Sequence, residues 1–367
     1  MICKLSDIVN TANTGADAIK KAPILNEPTN LRCLRIGDVS QKRDFSMWGY
    51  TKTSKMDYER YKLHKGDSII ARTGNTIGVC TYIEDDIESV YNNGLIRLTA
   101  KKELARERFL FYLIRSTACQ DYIQSIAYGT STQPNMKIKD FLNFDIIVPT
   151  LEIQDKIIAI VDKIEKKIQV NTEINNNLEQ QAQAIFLKMF PDIFSTSASS
   201  SFQNLIEFSN GKKRPEAIGD IPVYGGNGIL AYTNQSNAEN CVIIGRVGAY
   251  CGNTFLCSEK CWISDNAIQA KSKNEDSQLF IYYLLRNASL PSRHIGTGQP
   301  LMTQAILNAV PVNEPSTQEI RSFINVCTPL HEIIFTNEKQ NISLTLLRDT
   351  LLPKLMSGEL DVSDIDL

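Results

Sequence analysis

The sequence predicts an α/β (α+β) protein in which two modules of mixed strands and short helices are each followed by a long helix. Two observations support this. Segments of the first half recur in the second half at offsets of 166 to 174 residues, and two stretches repeat apolar residues every three or four positions. We therefore predict a pseudo-twofold internal repeat, and the 367 residues are enough for at least two domains of roughly 150 residues each.

The repeat is defined by matched segments whose offset drifts along the chain. It is 174 residues at an R-x-G-x-x-x-G motif, 171 in an apolar segment and 166 further on, as expected when loops differ in length. The residues matched at these offsets are Arg72 with Arg246, Phe109 with Phe280, Gln133 with Gln299, Pro134 with Pro300, and Met136 with Met302. Leu5 is matched with Leu205, at a longer offset of 200 residues.

The two long helices are predicted to pair with each other. Spacings that alternate between four and three are typical of a coiled-coil seam, which is narrower than the apolar stripe of a helix on a sheet. The first seam contains Ile157, Val161, Ile164, Ile168, Asn171, Asn175, Leu178 and Ile185. The second contains Phe323, Leu330, Ile334, Asn337, Asn341, Leu344 and Leu351.

Two Asn residues interrupt each seam near its middle, Asn171 with Asn175 and Asn337 with Asn341. If the helices are antiparallel, their midpoints coincide and the amides can hydrogen-bond across the seam, which offsets the cost of burying them. The alternative is that these side chains are partly exposed and incidental. Pro353 is expected to end or kink the second helix.

Short apolar runs bounded by Gly and Asp predict strands at 67–72 and 240–245, and apolar spacing predicts helices at 107–128 and 276–288. The predicted boundaries follow from these elements and from the Phe-Pro and Ser-rich segment after the first long helix. They are 1–150 for the first module, 151–190 for its helix, 191–314 for the second module and 315–367 for its helix.

Composition excludes several classes of protein. The 39 Lys and Arg against 41 Asp and Glu argue against a chain coated in basic residues, but they leave a local nucleic-acid site possible. Nine Cys without regular spacing fit reduced cytosolic thiols. No run of about 18 apolar residues is present, and the first residues lack the order of a secretory signal. A cytoplasmic protein is therefore expected.

No catalytic or cofactor motif is found in the sequence. It contains neither a GxxxxGK[ST] phosphate loop nor HExxH, and none of the three His recurs in the other half of the repeat. The four Cys at 241, 251, 257 and 261 include no CxxC pair, so we predict no metal and no cofactor. A noncatalytic binding protein is the class that remains.

Arg72 and Arg246 are the strongest candidates for a nucleic-acid contact because their position recurs. Their alternative role is structural, tying a turn to its own module. Gln can bond to adenine in a bidentate manner, or it can cap the following helix. The other candidates are basic residues and members of two matching loops, GTSTQP at 129–134 and GTGQP at 296–300, which we call the G-T-Q-P loops. These candidates are Lys20, Lys21, Arg32, Arg35, Thr130, Gln133, Lys137, Lys212, Lys213, Arg214, Thr297 and Gln299.

Four segments carry a resemblance to a known family. The chain resembles the DNA specificity subunit of type I restriction–modification systems in its order module–helix–module–helix and in these four segments. They are IPVYGGNGI at 221–229, YKLHKGDSIIARTGNTIGV at 61–79, GTSTQPNMKIKDFLNFDIIVPTLEIQDKI at 129–157 and LLPKLMSGEL at 351–360. The segment at 314–320 departs from its counterpart in the first half.

The resemblance implies a function for each part. The modules would be target-recognition domains on double-stranded DNA, and the helices would be spacers that hold two modification subunits. Adenine methylation would use S-adenosylmethionine on the modification subunits, and ATP-driven cleavage would belong to the restriction subunits.

Two other classes remain open from the residues alone. A duplicated protein-interaction scaffold would explain the coiled coil. It would not explain why the two modules differ most from each other in sequence while the helices that follow them match well. The recognition part of a split restriction–methyltransferase enzyme would have the same modules, and its full-length form would add a methyltransferase domain that does not fit in this sequence.

The helices also predict a spacing between the two recognition sites. The 37 residues from 153 to 189 would span about 55 Å as a helix, or about 16 base pairs. Inserting one heptad, or four residues near Asn171, should lengthen the unread gap by about two to three base pairs and leave both half-sites unchanged. A two-residue insertion should be tolerated less well, because it rotates the seam out of contact. The methylated motif measures the gap, and an unchanged gap would refute the spacing role.

Overall fold

A computed structural model describes residues 2–127, 134–195, 198, 200–274, 277–296, 298–363 and 365. The chain divides into two compact units. Unit 1 comprises Met1–Val170 and Gln340–Leu367, and unit 2 comprises Asn171–Lys339. Each unit therefore contains one module, one half of the first long helix and one half of the second. The mixed α/β class and the two long paired helices predicted from the sequence are confirmed.

Unit 1 is built on a four-stranded sheet of order β2-β8-β5-β6, a three-stranded sheet β4-β3-β7 and the antiparallel pair β1-β9. Its strands are β1 (Ile2–Lys4), β2 (Val9–Thr14), β3 (Arg32–Leu34), β4 (Gly49–Tyr50), β5 (Ser68–Ala71), β6 (Cys80–Tyr82), β7 (Ser89–Tyr91), β8 (Leu95–Ala100) and β9 (Asp145–Ile147). Its helices are α1 (Leu5–Ile8), α2 (Ile36–Ser40), α3 (Lys55–Tyr61), α4 (Glu107–Arg115), α5 (Thr117–Ala127), α6 (Ile138–Phe141) and the first part of α7 (Leu151–Met189).

Unit 2 is built on a six-stranded sheet of order β11-β16-β14-β15-β12-β13 and the antiparallel pair β10-β17. Its strands are β10 (Ser200–Ser201), β11 (Ile206–Asn210), β12 (Ile221–Gly225), β13 (Gly228–Thr233), β14 (Ala238–Gly245), β15 (Thr254–Ile263), β16 (Ala267–Ser272) and β17 (Pro311–Val312). Its helices are α8 (Phe202–Leu205), α9 (Gln278–Asn287), α10 (Gln304–Asn308) and the first part of α11 (Thr317–Ser357).

The repeat is visible in how each module begins and ends. In unit 1 the backbone N–H of Leu5 donates to the carbonyl of Phe144 at 2.8 Å, and in unit 2 that of Phe202 donates to Val310 at 3.0 Å. Leu5 therefore corresponds to Phe202, and the predicted match with Leu205 is wrong by three residues. Both candidates lie on the same short helix, one turn apart, so the sequence pattern alone could not separate them.

The strands predicted at 67–72 and 240–245 are confirmed as β5 and β14. The single helix predicted over 107–128 is wrong, because α4 and α5 are separated by Ser116. This residue has an extended backbone, and its Oγ accepts a hydrogen bond from the N–H of Cys119 at 3.4 Å. A Ser at this place satisfies an N–H at the start of α5, and it stops α4 without a Gly or Pro signal.

The junction between module and helix in unit 1 depends on Gln154, which is fully buried. Its Oε1 accepts from the N–H of Arg106 at 2.8 Å, and its Nε2 donates to the carbonyls of Leu104 and Pro149 at 2.9 and 3.0 Å. The bonds to Arg106 and Leu104 fix the first turn of α7 against the segment before α4, and the bond to Pro149 is to the residue two before α7 begins. A buried amide with these partners costs little, whereas one deprived of them costs about 1–3 kcal/mol.

The long helices run antiparallel in each unit, since the early half of α7 packs with the late half of α11 in unit 1 and the reverse holds in unit 2. In unit 2, Nδ2 of Asn337 donates to Oδ1 of Asn175 at 2.8 Å, and Nδ2 of Asn175 donates to the carbonyl of Ile334 at 3.2 Å. This is the predicted amide contact across the seam.

In unit 1 an ion pair lies at the seam. Nη1 of Arg348 lies 3.1 Å from Oε1 of Glu165, which also accepts from Arg115 of α4 at 2.9 Å. Burial alone would raise the pKa of Glu165, but the two guanidinium groups outweigh burial and hold this pKa below its usual value. The pair thus ties both long helices to the module.

The structure places each predicted seam residue in a buried or half-buried position. Those below a tenth exposed are Ile157, Val161, Ile164, Asn171, Phe323 and Ile334. The half-buried ones are Ile168, Asn175, Leu178, Ile185, Leu330, Asn337, Asn341, Leu344 and Leu351. The expectation that Pro353 ends or kinks the helix is wrong about its end, since α11 continues to Ser357. The neighbouring Leu352 and Leu355 are buried in the core of unit 1, so packing holds the last turn despite the missing N–H.

His331 has a structural role that the sequence did not reveal. The side chain of His331 is 15% exposed, and Nε2 lies 2.8 Å from the hydroxyl of Tyr283 on α9. Burial lowers the pKa of His331 and Arg286 lowers it further, against the opposing effect of Glu179. The imidazole therefore joins α9 to α11 in its neutral form.

Candidate nucleic-acid interface

The two Arg motifs form the same loop in both units. In unit 1, Arg72 follows β5, and its carbonyl accepts from the N–H of Met136 at 2.8 Å, while Gly74 N–H donates to Pro134 at 3.1 Å. These bonds join the R-x-G loop to the Q-P-x-M segment, so two parts of the repeat that are 60 residues apart in the chain are adjacent in the fold.

Unit 2 repeats this arrangement bond for bond. The carbonyl of Arg246 accepts from Met302 N–H at 2.8 Å, and Gly248 N–H donates to Pro300 at 2.9 Å. Gly74 and Gly248 have φ of 78° and 75°, a left-handed conformation that side chains disfavour. The motif therefore requires glycine at this position because the backbone there has a positive φ.

Each Arg side chain is half-buried, and in the described part of the chain it makes one hydrogen bond, within its own unit. Nη2 of Arg72 donates to Oδ1 of Asn135 at 3.1 Å, and Nη1 of Arg246 donates to the carbonyl of Asp265 at 3.3 Å. Among the described residues, neither buried Nε has a hydrogen-bond partner. The guanidinium groups thus have donors in excess of their internal partners. The sequence did not single out Asn135, although it lies inside the repeated segment.

The remaining basic candidates fall into two groups. Lys20, Lys137, Lys212, Lys213 and Arg214 have exposed side chains. The other three have partners inside unit 1, and they are described next.

Lys21, Arg32 and Arg35 are held by the module itself. Nζ of Lys21 donates to the Tyr61 hydroxyl at 3.2 Å, and this bond together with Asp57 raises the pKa of Lys21. Arg32 lies 4.4 Å from the centroid of the Tyr50 ring, and Nη1 of Arg35 lies 3.4 Å from the carbonyl of Cys33. Sequence spacing could not show these partners, because Lys21 and Arg32 meet aromatic side chains 40 and 18 residues away.

The G-T-Q-P loops are only partly described. Gln299 is exposed beside Gly296, whose φ is 90°. Thr130, Gln133 and Thr297 lie outside the described residues.

Cysteines contribute no metal site in the described part of the chain. All nine are free thiols, and no group of three or more His, Cys, Asp or Glu is placed to bind an ion among these residues. A hydrogen bond with Cys241 raises the pKa of Cys261 to about 12. Within the described ranges, no helix is long and apolar enough to cross a membrane.

Residues 1–180 and 203–344 each match the sequence model of the type I restriction modification DNA specificity domain. The chain belongs to this family. The two matches lie in the two halves of the repeat, and each covers one module together with part or most of its helix.

Curated relatives of this chain are specificity subunits. It is 31% identical over 134 residues to the type I restriction enzyme HindI specificity subunit of Haemophilus influenzae. The aligned region covers 35% of this chain and 29% of that subunit. It is 24% identical over 322 residues to the MjaIX specificity subunit of Methanocaldococcus jannaschii, covering 75% of this chain and 73% of that subunit.

A solved structure has the same fold. The S subunit of a type I restriction–modification system from M. genitalium aligns with a TM-score of 0.56 at 17% identity, covering 99% of this chain and 96% of that one.

The guanidinium N–H groups of Arg72 that have no partner among the described residues are available to bind DNA, which gives a testable expectation. If the guanidinium contacts DNA, Arg72→Ala should weaken binding of target DNA by about tenfold or more and should leave the thermal unfolding midpoint near wild type. Asn135→Ala removes only the internal partner, so its effect on DNA binding should be small. If Arg72→Ala and Asn135→Ala instead lowered the unfolding midpoint alike, the role of Arg72 would be to hold the loop.

Proposed function

We propose that this chain is the noncatalytic subunit that gives a type I restriction–modification complex its DNA target. Each module would read one half of a bipartite sequence. The observation that carries the proposal is the pair of specificity domains with identically bonded Arg loops on otherwise different modules. Identical loops suit a shared task, and different surroundings suit different base sequences.

The proposed assignment of segments follows the sequence boundaries. Residues 1–150 and 191–314 are the target-recognition domains, and residues 151–190 and 315–367 are the helical spacers. The proposed DNA contacts with described side chains are Lys20, Arg72, Lys137, Lys212, Lys213, Arg214, Arg246 and Gln299. Thr130, Gln133 and Thr297 complete the two G-T-Q-P loops. We assign Lys21, Arg32 and Arg35 to holding the first module together, because their partners are internal.

The proposed partners are double-stranded DNA, two modification subunits and the restriction subunits, in the cytoplasm. Methyl transfer and cleavage would belong to these subunits. An exposed apolar group on the late half of α11 supports a protein partner there, since Ile342, Leu346 and Leu347 are 63%, 68% and 46% exposed.

Methylome sequencing tests this function directly. Cells that express the modification subunit with this chain should carry methylated adenine at one bipartite motif, and cells that express the modification subunit alone should carry none. The purified chain alone should transfer no methyl group from S-adenosylmethionine to DNA. Methylation without the chain, or by the chain alone, would contradict the proposal.

A further inference from the structure

The first module has an exposed loop, residues 41–47, where the second module has a tight turn. In unit 1, β3 pairs antiparallel with β4 and parallel with β7. In unit 2, β12 pairs antiparallel with β13 and parallel with β15. The two hairpins occupy the same place in the topology. Only Gly226 and Asn227 separate β12 from β13, whereas residues 35–48 separate β3 from β4.

The loop is closed at its base by Trp48, which is 7% exposed. Its Nε1 donates to the carbonyl of Arg43 at 2.9 Å, and its ring lies 5.4 Å from that of Phe45, edge to face. Arg32 lies beneath, where Nη1 donates to the carbonyl of Trp48 and the guanidinium lies 5.7 Å from the Phe45 centroid. These contacts join Arg43 and Phe45 to Trp48, and they join Phe45 and Trp48 to Arg32 of strand β3.

The loop exposes apolar side chains to solvent, although the adjoining Trp48 is buried. All seven residues from 41 to 47 are exposed, and Met47 is 62% exposed. A single exposed Met is common on protein surfaces, so its neighbours decide the interpretation. Lys42, five residues before Met47 in the sequence, is held at φ 50°, a conformation that is uncommon for a residue other than Gly.

The charges of the loop suit a polyanion. Residues 41–47 contain two cationic residues, Lys42 and Arg43, and one acidic residue, Asp44. Arg43 is already paired, since Nη1 lies 3.2 Å from Oδ1 of Asp38. Lys42 is exposed and is the cation of this loop that is available to a phosphate. Cations on phosphates and apolar side chains on bases are the two contacts by which proteins hold and read duplex DNA.

We propose that residues 41–47 form a DNA-reading loop of the first module. Met47 packs against bases of the first half-site, and Lys42 contacts a phosphate. The inference rests on the proposed function. It adds a determinant of sequence specificity that is present in the first module and has no counterpart in the second. Because the hairpin of the second module lacks this loop, the second half-site is read without it.

The test uses the assembled complex of this chain with its modification subunits and a duplex that carries the motif found by methylome sequencing. Met47→Ser should weaken binding of this duplex about tenfold. Binding of a duplex altered in the first half-site should not change, and Met47→Leu should restore affinity. Lys42→Ala should lower the slope of log affinity against log salt by about one on both duplexes.

Met56→Ser is the matched control, because Met56 is 77% exposed on α3 of the same module and lies outside the loop. It should bind both duplexes as the wild type does, and the unfolding midpoints of all variants should agree. If Met47→Ser bound the target as well as Met56→Ser does, the loop would not read bases and the inference would be wrong. A wild-type complex without sequence preference would instead contradict the proposed function, and it would be recognised before any variant is compared.

Discussion

Each unit depends on the antiparallel pairing of α7 with α11. Apolar rows every three or four residues can slide past each other by a heptad at little cost, so apolar contacts alone do not fix which residues meet. The amide pair Asn175–Asn337 in unit 2 and the ion pair Glu165–Arg348 in unit 1 fix the register, since a shift by one heptad would separate both pairs. Buried amides or charges without partners cost several times what a lost methyl contact does.

The same pair of helices carries two modules that share fixed points and differ between them. The start and end of each module are joined by an equivalent backbone hydrogen bond, from Leu5 to Phe144 in unit 1 and from Phe202 to Val310 in unit 2. The two Arg loops also make the same backbone hydrogen bonds. Between these fixed points the sheets differ, with strand groups of four, three and two in unit 1 and of six and two in unit 2. A fold arranged in this way can change a loop such as 41–47 without disturbing the helices, because the loop is held by Trp48 and Arg32 within its own module.

The sequence was sufficient to predict the repeat, the two long helices, their seam and the recurrent Arg motif. All of these depend on local periodicity or on self-similarity, which are visible without coordinates. It was insufficient where one side chain decides the outcome. Ser116 splits a helix by capping the next one, Pro353 is tolerated by packing, and Arg32 is taken up by aromatic rings that are distant in the chain. Met47 is exposed while the neighbouring Trp48 is buried, a contrast that no spacing rule reveals.

Under the proposed function, each module reads its own half of the target. The most direct measurement is the methylated motif after residues 1–150 are replaced by the first module of another specificity subunit, determined in cells that contain the modification subunit. One half-site should change to that of the donor, and the other half-site and the gap should stay as they were. A change in both half-sites would contradict the claim that the two modules read DNA independently.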